Sequence, residues 1–239
     1  PLADPSTCIP RGRAFRSPGG EAAVVKTVGE WEEYHKGLSS NFRRQLKRAR
    51  NKAAEYGDLR AEFLSGPKAD PQNLEAFMTV EAAGWKGRIG SAIRENEELV
   101  RFYRRLVERL HACGMLEWHF LRIGGEVAAA HLAIRSGRTL SIWKIGFDET
   151  YAQCSPGVLL LERLLKRAFA DETIDEVNLV TDREWHRVWQ PEKLRYYDVR
   201  LYPLRPVPYL TGARPMQASQ ALRPVAWLRC AVVAVRNWG

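Results

Sequence analysis

One stretch, residues 138–170, constrains the fold most strongly because it combines a strand, a short loop and a helix. Residues 138–147 are rich in β-branched and aromatic side chains, as a packed strand requires. A loop over residues 148–157 ends in turn-forming residues, and residues 158–168 are mostly strong helix formers. This order is typical of an α/β unit in which the helix packs back onto a sheet.

The start of that helix is suited to bind a phosphate group. Ser155 is a natural N-cap, Pro156 fits the first helical position, and Gly157 has no side chain that would block a ligand. A helix that begins in this way directs free backbone N–H groups and the positive end of its dipole at the space above it. The sequence therefore predicts a site for a cofactor phosphate at this turn.

Composition indicates an ordinary globular protein with an anionic partner. The 239 residues are 45% hydrophobic and 27% charged, which allows one large domain or a domain and a half. The formal net charge of +9 suits nucleic acid, anionic lipid or a phosphorylated cofactor, without distinguishing among them. The four cysteines form no CxxC pair, which argues against a zinc site and a disulfide framework.

The chain also lacks an apolar run of the ~20 residues that span a bilayer. Its first residues carry neither the charged nor the apolar region of a signal peptide. We therefore expect a cytoplasmic protein, with peripheral attachment to the inner membrane as the alternative.

A basic amphipathic helix is predicted from Ser39 or Ser40 to about Tyr56, with Gly57 ending it. Cations at residues 43–52 surround its apolar stripe. A solvated face is the commoner explanation of such a pattern. The alternative is a surface that contacts an anionic membrane or the phosphates of tRNA.

Two charged residues fall on apolar faces. Glu81 lies on the apolar side of a helix predicted over residues 71–83, where it would either pair with a cation such as Lys86 or face a substrate. Lys144 is placed by strand alternation on the same face as Leu140 and Ile142. It would either reach past the sheet edge to solvent or contact a substrate.

The remaining elements complete a sheet with covering helices. Two strands joined by a Gly-Gly turn precede residue 138, and His131 on the second is either a core histidine or part of a substrate channel. The apolar stripe of the helix predicted at residues 96–112 is interpreted as core alone. The other predicted elements are a strand at residues 22–28, a strand at 59–63, a helix at 96–112, a strand at 176–181, a short helix at 182–189 capped by Asp182, a strand at 196–202 and an interfacial helix at 225–235.

Three motifs in order resemble one family. Trp143 to Tyr151 followed by Ser-Pro-Gly, the segment Glu81 to Ala92, and the basic helix start at residues 40–48 are similar to a branch of the GNAT acyltransferases. That branch is associated with cellulose and exopolysaccharide biosynthesis and is related to the Fem-type peptidyltransferases. The resemblance covers about residues 39–202.

The resemblance implies a fold, a cosubstrate and a set of site residues. The implied fold is α/β, with a mixed, largely antiparallel twisted sheet flanked by helices, and the implied cosubstrate is acyl-CoA, used without a metal. Implied catalytic residues are Glu81, Lys144, Tyr151 and His186. The residues implied to bind the cofactor are Ile145, Gly146, Ser155, Pro156, Gly157, Val158 and Leu159. Those implied to bind a small-molecule or saccharide acceptor are Trp85, Lys86, His131, Asp148, Asp182 and Trp185.

The chain departs from the family in two ways that leave alternatives open. Trp185 and His186 stand where the family usually has Tyr-Lys, and only about forty residues precede the basic helix, where the family usually has a further α/β half. We expect a loose segment at residues 1–38, an acyltransferase domain at 39–202 and a Pro/Arg-rich tail at 203–239. The alternatives to acyl-CoA-dependent transfer are Fem-like transfer from aminoacyl-tRNA and a catalytically silent scaffold or binding module.

Overall fold

The computed structural model describes residues 12–203 of the chain. Residues 22–194 form one compact unit, and the described residues 12–21 and 195–203 belong to a second. The strands are β1 Gly12–Lys26, β2 Leu59–Ser65, β3 Leu116–Ile123, β4 Glu126–Ser136, β5 Thr139–Phe147, β6 Glu176–Asn178 and β7 Glu192–Pro203. The α-helices are α1 Trp31–Gly37, α2 Ser40–Ala54, α3 Asn73–Ala82, α4 Trp85–Arg88, α5 Glu97–Ala112 and α6 Pro156–Phe169. Short 3-10 helices cover Gly66–Lys68, Ile93–Glu95, Glu149–Cys154 and Glu184–Trp189.

The strands form one mixed sheet in the order β2-β3-β4-β5-β6-β1-β7. The pairs β2–β3, β3–β4 and β4–β5 are antiparallel, and β6 pairs antiparallel with β1. Strands β5 and β6 pair parallel, with α6 as the crossover that a parallel pair requires. The prediction of an α/β fold with a mixed, largely antiparallel sheet flanked by helices is therefore confirmed.

Helices cover both faces of this sheet because its central strands are apolar on both sides. On one face, called here the α3 face, α3 and α5 pack against residues such as Trp118 of β3 and Leu132 of β4. On the opposite face, the α6 face, α2 and α6 pack against residues such as Leu121 of β3 and Leu140 of β5. Alternation along each strand sends neighbouring side chains to opposite faces, which accounts for two core layers.

The segment before α2 is more regular than its composition predicts. Residues 12–38 are predicted to be a loose segment apart from a short strand at residues 22–28, and they contain β1 and α1. Tertiary contacts fix them: Val24 pairs with Asn178 of β6, and the Tyr34 hydroxyl donates to the Trp189 carbonyl at 2.6 Å. A lack of sequence periodicity therefore did not predict a lack of structure here.

Near the other end of the chain, β6 is shorter than predicted. The Asn178 side chain accepts a hydrogen bond from the Val180 N–H at 2.7 Å, and Val180 has a φ of 64°, which is rare for a β-branched residue. The following 3-10 helix has Arg183 as its N-cap, so the prediction that Asp182 caps it is wrong. Asp182 instead forms an ion pair with Lys193 at 2.7 Å.

Residues 204–239 lie outside the described residues, and with them the predicted Pro/Arg-rich tail and interfacial helix. Within residues 12–203, no helix has the length and apolarity needed to cross a membrane.

Candidate active site

A β-bulge places Lys144 on the α3 face of the sheet. Leu132 of β4 is opposite Lys144, whereas the next residue, Ala133, is opposite Ile142, so that Trp143 is the extra residue of β5. The prediction that Lys144 shares a face with Ile142 and Leu140 is therefore wrong. Those two side chains belong to the core of the α6 face. An inserted residue reverses the alternation beyond it, which is why the sequence pattern misplaced the lysine.

The bulge brings Lys144 to a buried carboxylate. Glu81, near the end of α3, is 1% exposed. Its Oε1 lies 2.7 Å from Lys86 Nζ and 3.7 Å from Lys144 Nζ, and its Oε2 accepts from the Ile93 N–H at 2.9 Å. Lys86 Nζ also donates to the Ile145 carbonyl at 2.9 Å. We call Glu81, Lys86 and Lys144 the carboxylate–lysine cluster.

The cluster depends on a close approach between α3, α4 and β5. A Cβ on Gly146 would lie 2.9 Å from Glu81 Cα, and one on Gly84 would lie 2.7 Å from the Phe147 carbonyl oxygen. A Cβ on Gly87 would lie 1.9 Å from the Ala82 carbonyl oxygen. Larger residues at these positions would force the backbones apart. This explains why glycines recur in both motifs, which are distant in sequence and adjacent in the fold.

Burial shifts the protonation equilibria around the cluster. Desolvation lowers the pKa of Lys144, although the Glu81 charge opposes this, and the neighbouring Lys86 charge lowers it further. The Lys144 ammonium lies 5.4 Å from the centre of the Tyr103 ring on α5. Burial raises the pKa of Tyr103 to about 12, and the Glu81 charge adds to that rise. The lowered pKa favours the neutral form of Lys144, and 30% of its side chain is exposed.

The start of α6 offers fewer free amides than the sequence suggests. Ser155 is the N-cap residue but has left-handed backbone angles (φ 48°), and its side chain makes no capping bond. The Val158 and Leu159 N–H groups both donate to the Ser155 carbonyl, at 3.0 and 3.1 Å. Pro156 has no N–H, which leaves Gly157 as the residue of this turn whose N–H has no described backbone acceptor. Apart from its chain neighbours and its own helix backbone, no atom lies within 4 Å of where a Gly157 Cβ would be, so a side chain at this position would meet open space.

Strand β5 connects the cluster with the α6 N-terminus. It pairs with β6 only from Thr139 to Ser141, because β6 ends at Asn178. The part of β5 that carries Lys144 to Phe147 therefore continues beyond its parallel neighbour.

The loop between β5 and α6 contains two further predicted site residues. The Asp148 carboxylate accepts from the Thr150 N–H at 2.8 Å and caps the 3-10 helix. The Tyr151 ring lies edge-on to Tyr56, with centroids 5.7 Å apart, and burial followed by the Asp148 charge raises its pKa. Cys154 is buried, and desolvation raises the pKa of its thiol. A buried thiol with a raised pKa is poorly suited to act as a nucleophile.

His131 lies away from the cluster, on the α6 face. It is 3% exposed, its ring centroid is 5.8 Å from that of His119, and its Nδ1 has no described partner. Desolvation places the pKa of His131 well below the ordinary histidine value, and that of His119 is lowered for the same reason. Nearby, Arg167 contacts Glu117 at 2.9 Å, and Glu117 contacts His119 at 3.3 Å. The geometry corresponds to the core-histidine interpretation of His131.

His186 is also buried, and its Nδ1 accepts from the Arg183 N–H at 3.2 Å. Desolvation lowers its pKa. Trp185 is 46% exposed and its ring lies 3.9 Å from the His186 ring. These residues belong to the segment after β6, and no described contact joins them to Glu81 or Lys144.

Sequence reasoning missed two members of the cluster's surroundings. Tyr103 looked like part of an ordinary core stripe, and Ile93 contributes only its backbone N–H. No signal in the sequence separated Tyr103 from the other residues of that stripe. Trp85, at 46% exposure beside Lys86, is where the motif predicted a substrate contact. Among the described residues, no three His, Cys, Asp or Glu side chains are grouped so as to hold a metal ion.

Comparison with solved structures supports the fold. FemX matches with 9% identity and a TM-score of 0.53 over 72% of this chain and 59% of that one. The C-terminal domain of a putative lysylphosphatidylglycerol synthetase from Agrobacterium fabrum matches with 12% identity and a TM-score of 0.51 over 79% of this chain and 61% of that one. A conserved protein of unknown function from Bacteroides thetaiotaomicron matches with 13% identity and a TM-score of 0.52 over 84% and 66%. The chain thus spans roughly three fifths to two thirds of their lengths.

Among curated proteins, no significant match was found. The family comparison is specific. Residues 40–188 match the model of the acetyltransferase (GNAT) domain, from the start of α2 to the 3-10 helix after β6. The match covers more than half of the sequence and contains both the carboxylate–lysine cluster and the α6 N-terminus. The chain therefore belongs to the GNAT acetyltransferase domain family.

Proposed function

We propose that the chain transfers an acyl group from acyl-CoA to an amine or hydroxyl acceptor. The observation that carries this proposal is the course of β5, which holds Lys144 beside buried Glu81 and leads within a short loop to the Gly157 N–H of α6, for which no backbone acceptor is described. A group that reacts and a group that binds phosphate are thus parts of one strand-loop-helix unit.

The donor is proposed to lie along β5. Its pyrophosphate would accept from the Gly157 N–H and interact with the dipole of α6, a helix long enough for that interaction. Its pantetheine would occupy the opening beyond Asn178, where β6 no longer pairs with β5. A backbone N–H of this part of β5 would then stabilise the oxyanion that forms on the thioester carbonyl.

Lys144 is proposed to accept the proton of the acceptor. An amine attacks only in its neutral form, and burial lowers the pKa of Lys144, which favours the neutral lysine that can act as a base. The acceptor nitrogen or oxygen bonds to the carbonyl carbon, the carbon–sulfur bond breaks, and Lys144 takes the acceptor proton. The leaving thiolate is then protonated by solvent or by the Tyr151 hydroxyl. Glu81 holds the lysine side chain in position through its charge.

The acceptor site is proposed to begin at Trp85. Its exposed indole offers an apolar face, and it stands next to Lys86 of the cluster. A saccharide with an amino or hydroxyl group presents both an apolar ring face and a nucleophile. This fits the exopolysaccharide association of the branch that the motifs resemble, and we propose a role in envelope polysaccharide metabolism at the cytoplasmic side.

Transfer from aminoacyl-tRNA is the second candidate, and one observation favours it. Helix α2 exposes cations for which no carboxylate lies within ion-pair distance in residues 17–198, namely Arg44, Lys47 and Arg48. FemX and the lysylphosphatidylglycerol synthetase domain share the fold, which makes this donor worth testing alongside acyl-CoA. A silent scaffold is the third possibility, and the absence of any transfer activity would favour it.

Thermal shift with a panel of acyl-CoAs and aminoacyl-tRNA tests the proposal, because a ligand selective for the folded state raises the melting temperature. An acyl-CoA at 100 times its Kd should add about 2.7 kcal/mol to the free energy of unfolding. Release of free CoA thiol in the presence of amino sugars would then identify the transfer step. A shift with charged tRNA and none with any acyl-CoA would replace the first candidate by the second.

A further inference from the structure

A polar cleft lies on the α6 face, between helices α1, α2 and α6. Its volume is about 260 Å³, and it is lined by Trp31 and His35 of α1, Arg50 of α2, and Glu162, Arg163 and Lys166 of α6. Glu81 and Lys144 lie on the α3 face. The cleft is therefore separated from the carboxylate–lysine cluster by the sheet.

The cleft has more cations than its one carboxylate can neutralise. Glu162, with 7% of its side chain exposed, lies 2.5 Å from Arg50 and 3.8 Å from His35. Arg163 and Lys166 are exposed and have no carboxylate within 4 Å in the part of the chain that the structure describes. The glutamates of α1 lie in its first turn and do not line the cleft. An anionic ligand would therefore meet two uncompensated positive charges.

Trp31 adds an aromatic wall to this cationic cleft. Its ring lies 5.2 Å from His35 and 5.8 Å from Phe169, which fixes its orientation, and it is only partly buried. A planar base can stack on such a ring, while a phosphate on the same ligand reaches the cations. The volume lies just below the roughly 300–1,000 Å³ of drug-sized ligand sites, which suits a small ligand.

We propose that this cleft binds a nucleotide, with Arg163 and Lys166 holding its phosphate and Trp31 stacking on its base. The site is distinct from the one proposed for the acyl donor. Arg163 follows Pro156 by roughly 10 Å along the helix axis at 1.5 Å per residue. A membrane surface fits less well, because the exposed large hydrophobic residues of the described chain all lie outside α1, α2 and α6.

Isothermal titration of the whole chain with adenosine 5′-monophosphate tests the site, in the presence and absence of saturating CoA. We expect binding in both conditions. Arg163→Gln with Lys166→Gln should weaken it at least about tenfold, as the loss of one or two charge-assisted contacts does. Both residues are exposed, so the fold should persist, which circular dichroism verifies.

Arg101→Gln with Arg105→Gln is the matched control. This pair is also exposed and one helical turn apart, on α5 of the α3 face, and should leave nucleotide affinity within about twofold. Quenching of indole fluorescence by the base should disappear in Trp31→Phe, which keeps an aromatic ring in the packed position.

Four results would overturn the proposal. Binding that CoA abolishes would place the nucleotide at the α6 N-terminus. Equal affinity for inorganic phosphate and the nucleotide would remove the role of Trp31. Unchanged affinity in the Arg163 and Lys166 double variant, or no binding at millimolar nucleotide, would remove the site. None of these outcomes depends on whether the chain transfers acyl groups.

Discussion

Replacement of Gly157 by glutamate separates donor binding from folding. No atom lies within 4 Å of the position of a Cβ on Gly157, and its φ is not in the left-handed range. A side chain therefore fits without strain. Glutamate in the first turn of a helix interacts favourably with the dipole, by about 0.3–1 kcal/mol. We expect Gly157→Glu to keep or slightly raise the melting temperature.

The same substitution should abolish CoA binding. A carboxylate at this position would lie close to a pyrophosphate bound over the amide. For a pair of unit charges about 5 Å apart at an effective dielectric constant of about 20, the repulsion is about 3 kcal/mol. Since 1.4 kcal/mol corresponds to a factor of ten, Kd should rise more than about 100-fold.

Isothermal titration with CoA measures this change, and two substitutions at Gly157 provide controls. Gly157→Ala adds a methyl group in open space and should change Kd less than about threefold, a bound that follows from the absence of a clash. Gly157→Lys should tighten binding, and more so at low salt. If Gly157→Glu binds CoA as tightly as the unsubstituted chain, the phosphate does not lie over α6 and the reasoning fails.

The remaining predictions address the base, the second donor and acid stability. Lys144→Met should lower kcat by about 10²–10⁴-fold with little change in melting temperature. Lys86→Met should instead destabilise the fold, because it removes the closest partner of buried Glu81. Equal losses of rate and stability in both variants would return Lys144 to a structural role. The rate should rise with pH below the ordinary lysine pKa, since burial lowers the pKa of Lys144 and its neutral form is the base. If RNA binds, the logarithm of its affinity should fall with the logarithm of the salt concentration, with a slope of about 0.7–0.9 per neutralised phosphate. Replacing Arg43, Arg44, Lys47 and Arg48 of α2 by glutamine should flatten that slope. The same replacement should leave CoA affinity unchanged. Because burial lowers the pKa of His131, the fold favours its neutral form. The free energy of unfolding should therefore fall as the pH drops below about 6.5, and it should fall less steeply in His131→Leu. Identical acid unfolding curves for the two proteins would contradict this.

Local pattern was sufficient for most of the fold. Helices α2 and α5 have apolar stripes at helical spacing and side-chain caps at Ser39 and Asn96, so their limits could be predicted within a few residues. The hairpin from β3 to β4 turns at a Gly-Gly pair. Both glycines have a positive φ, which few other residue types adopt. These features act over short distances in sequence, where composition and periodicity carry the information.

The wrong predictions concern features that are determined by contacts between residues distant in sequence. Trp143 has nothing in its own sequence neighbourhood that identifies it as a bulge, yet it sends Lys144 to the opposite face. Strand β1 begins at Gly12, whereas the sequence pattern predicts a strand only at residues 22–28. The left-handed backbone of Ser155 turned the predicted group of free amides into the single free amide of Gly157.

The sequence identified two charged residues that come together in the fold, although it placed the Lys144 side chain on the wrong face of the sheet. Glu81 and Lys144 were both singled out as charges on apolar faces, and the structure places them 3.7 Å apart. Their chemical roles stay predictions, which the Lys144→Met and Lys86→Met variants test.

The structure of the chain crystallised with CoA tests the central proposal most directly. The account predicts a pyrophosphate oxygen within hydrogen-bond distance, about 2.9 Å, of the Gly157 nitrogen. The sulfur should then lie in the opening beside Lys144, between β5 and the end of β6. CoA bound in the cleft of Arg163 and Lys166, or with its sulfur on the α6 face away from Lys144, would contradict the account.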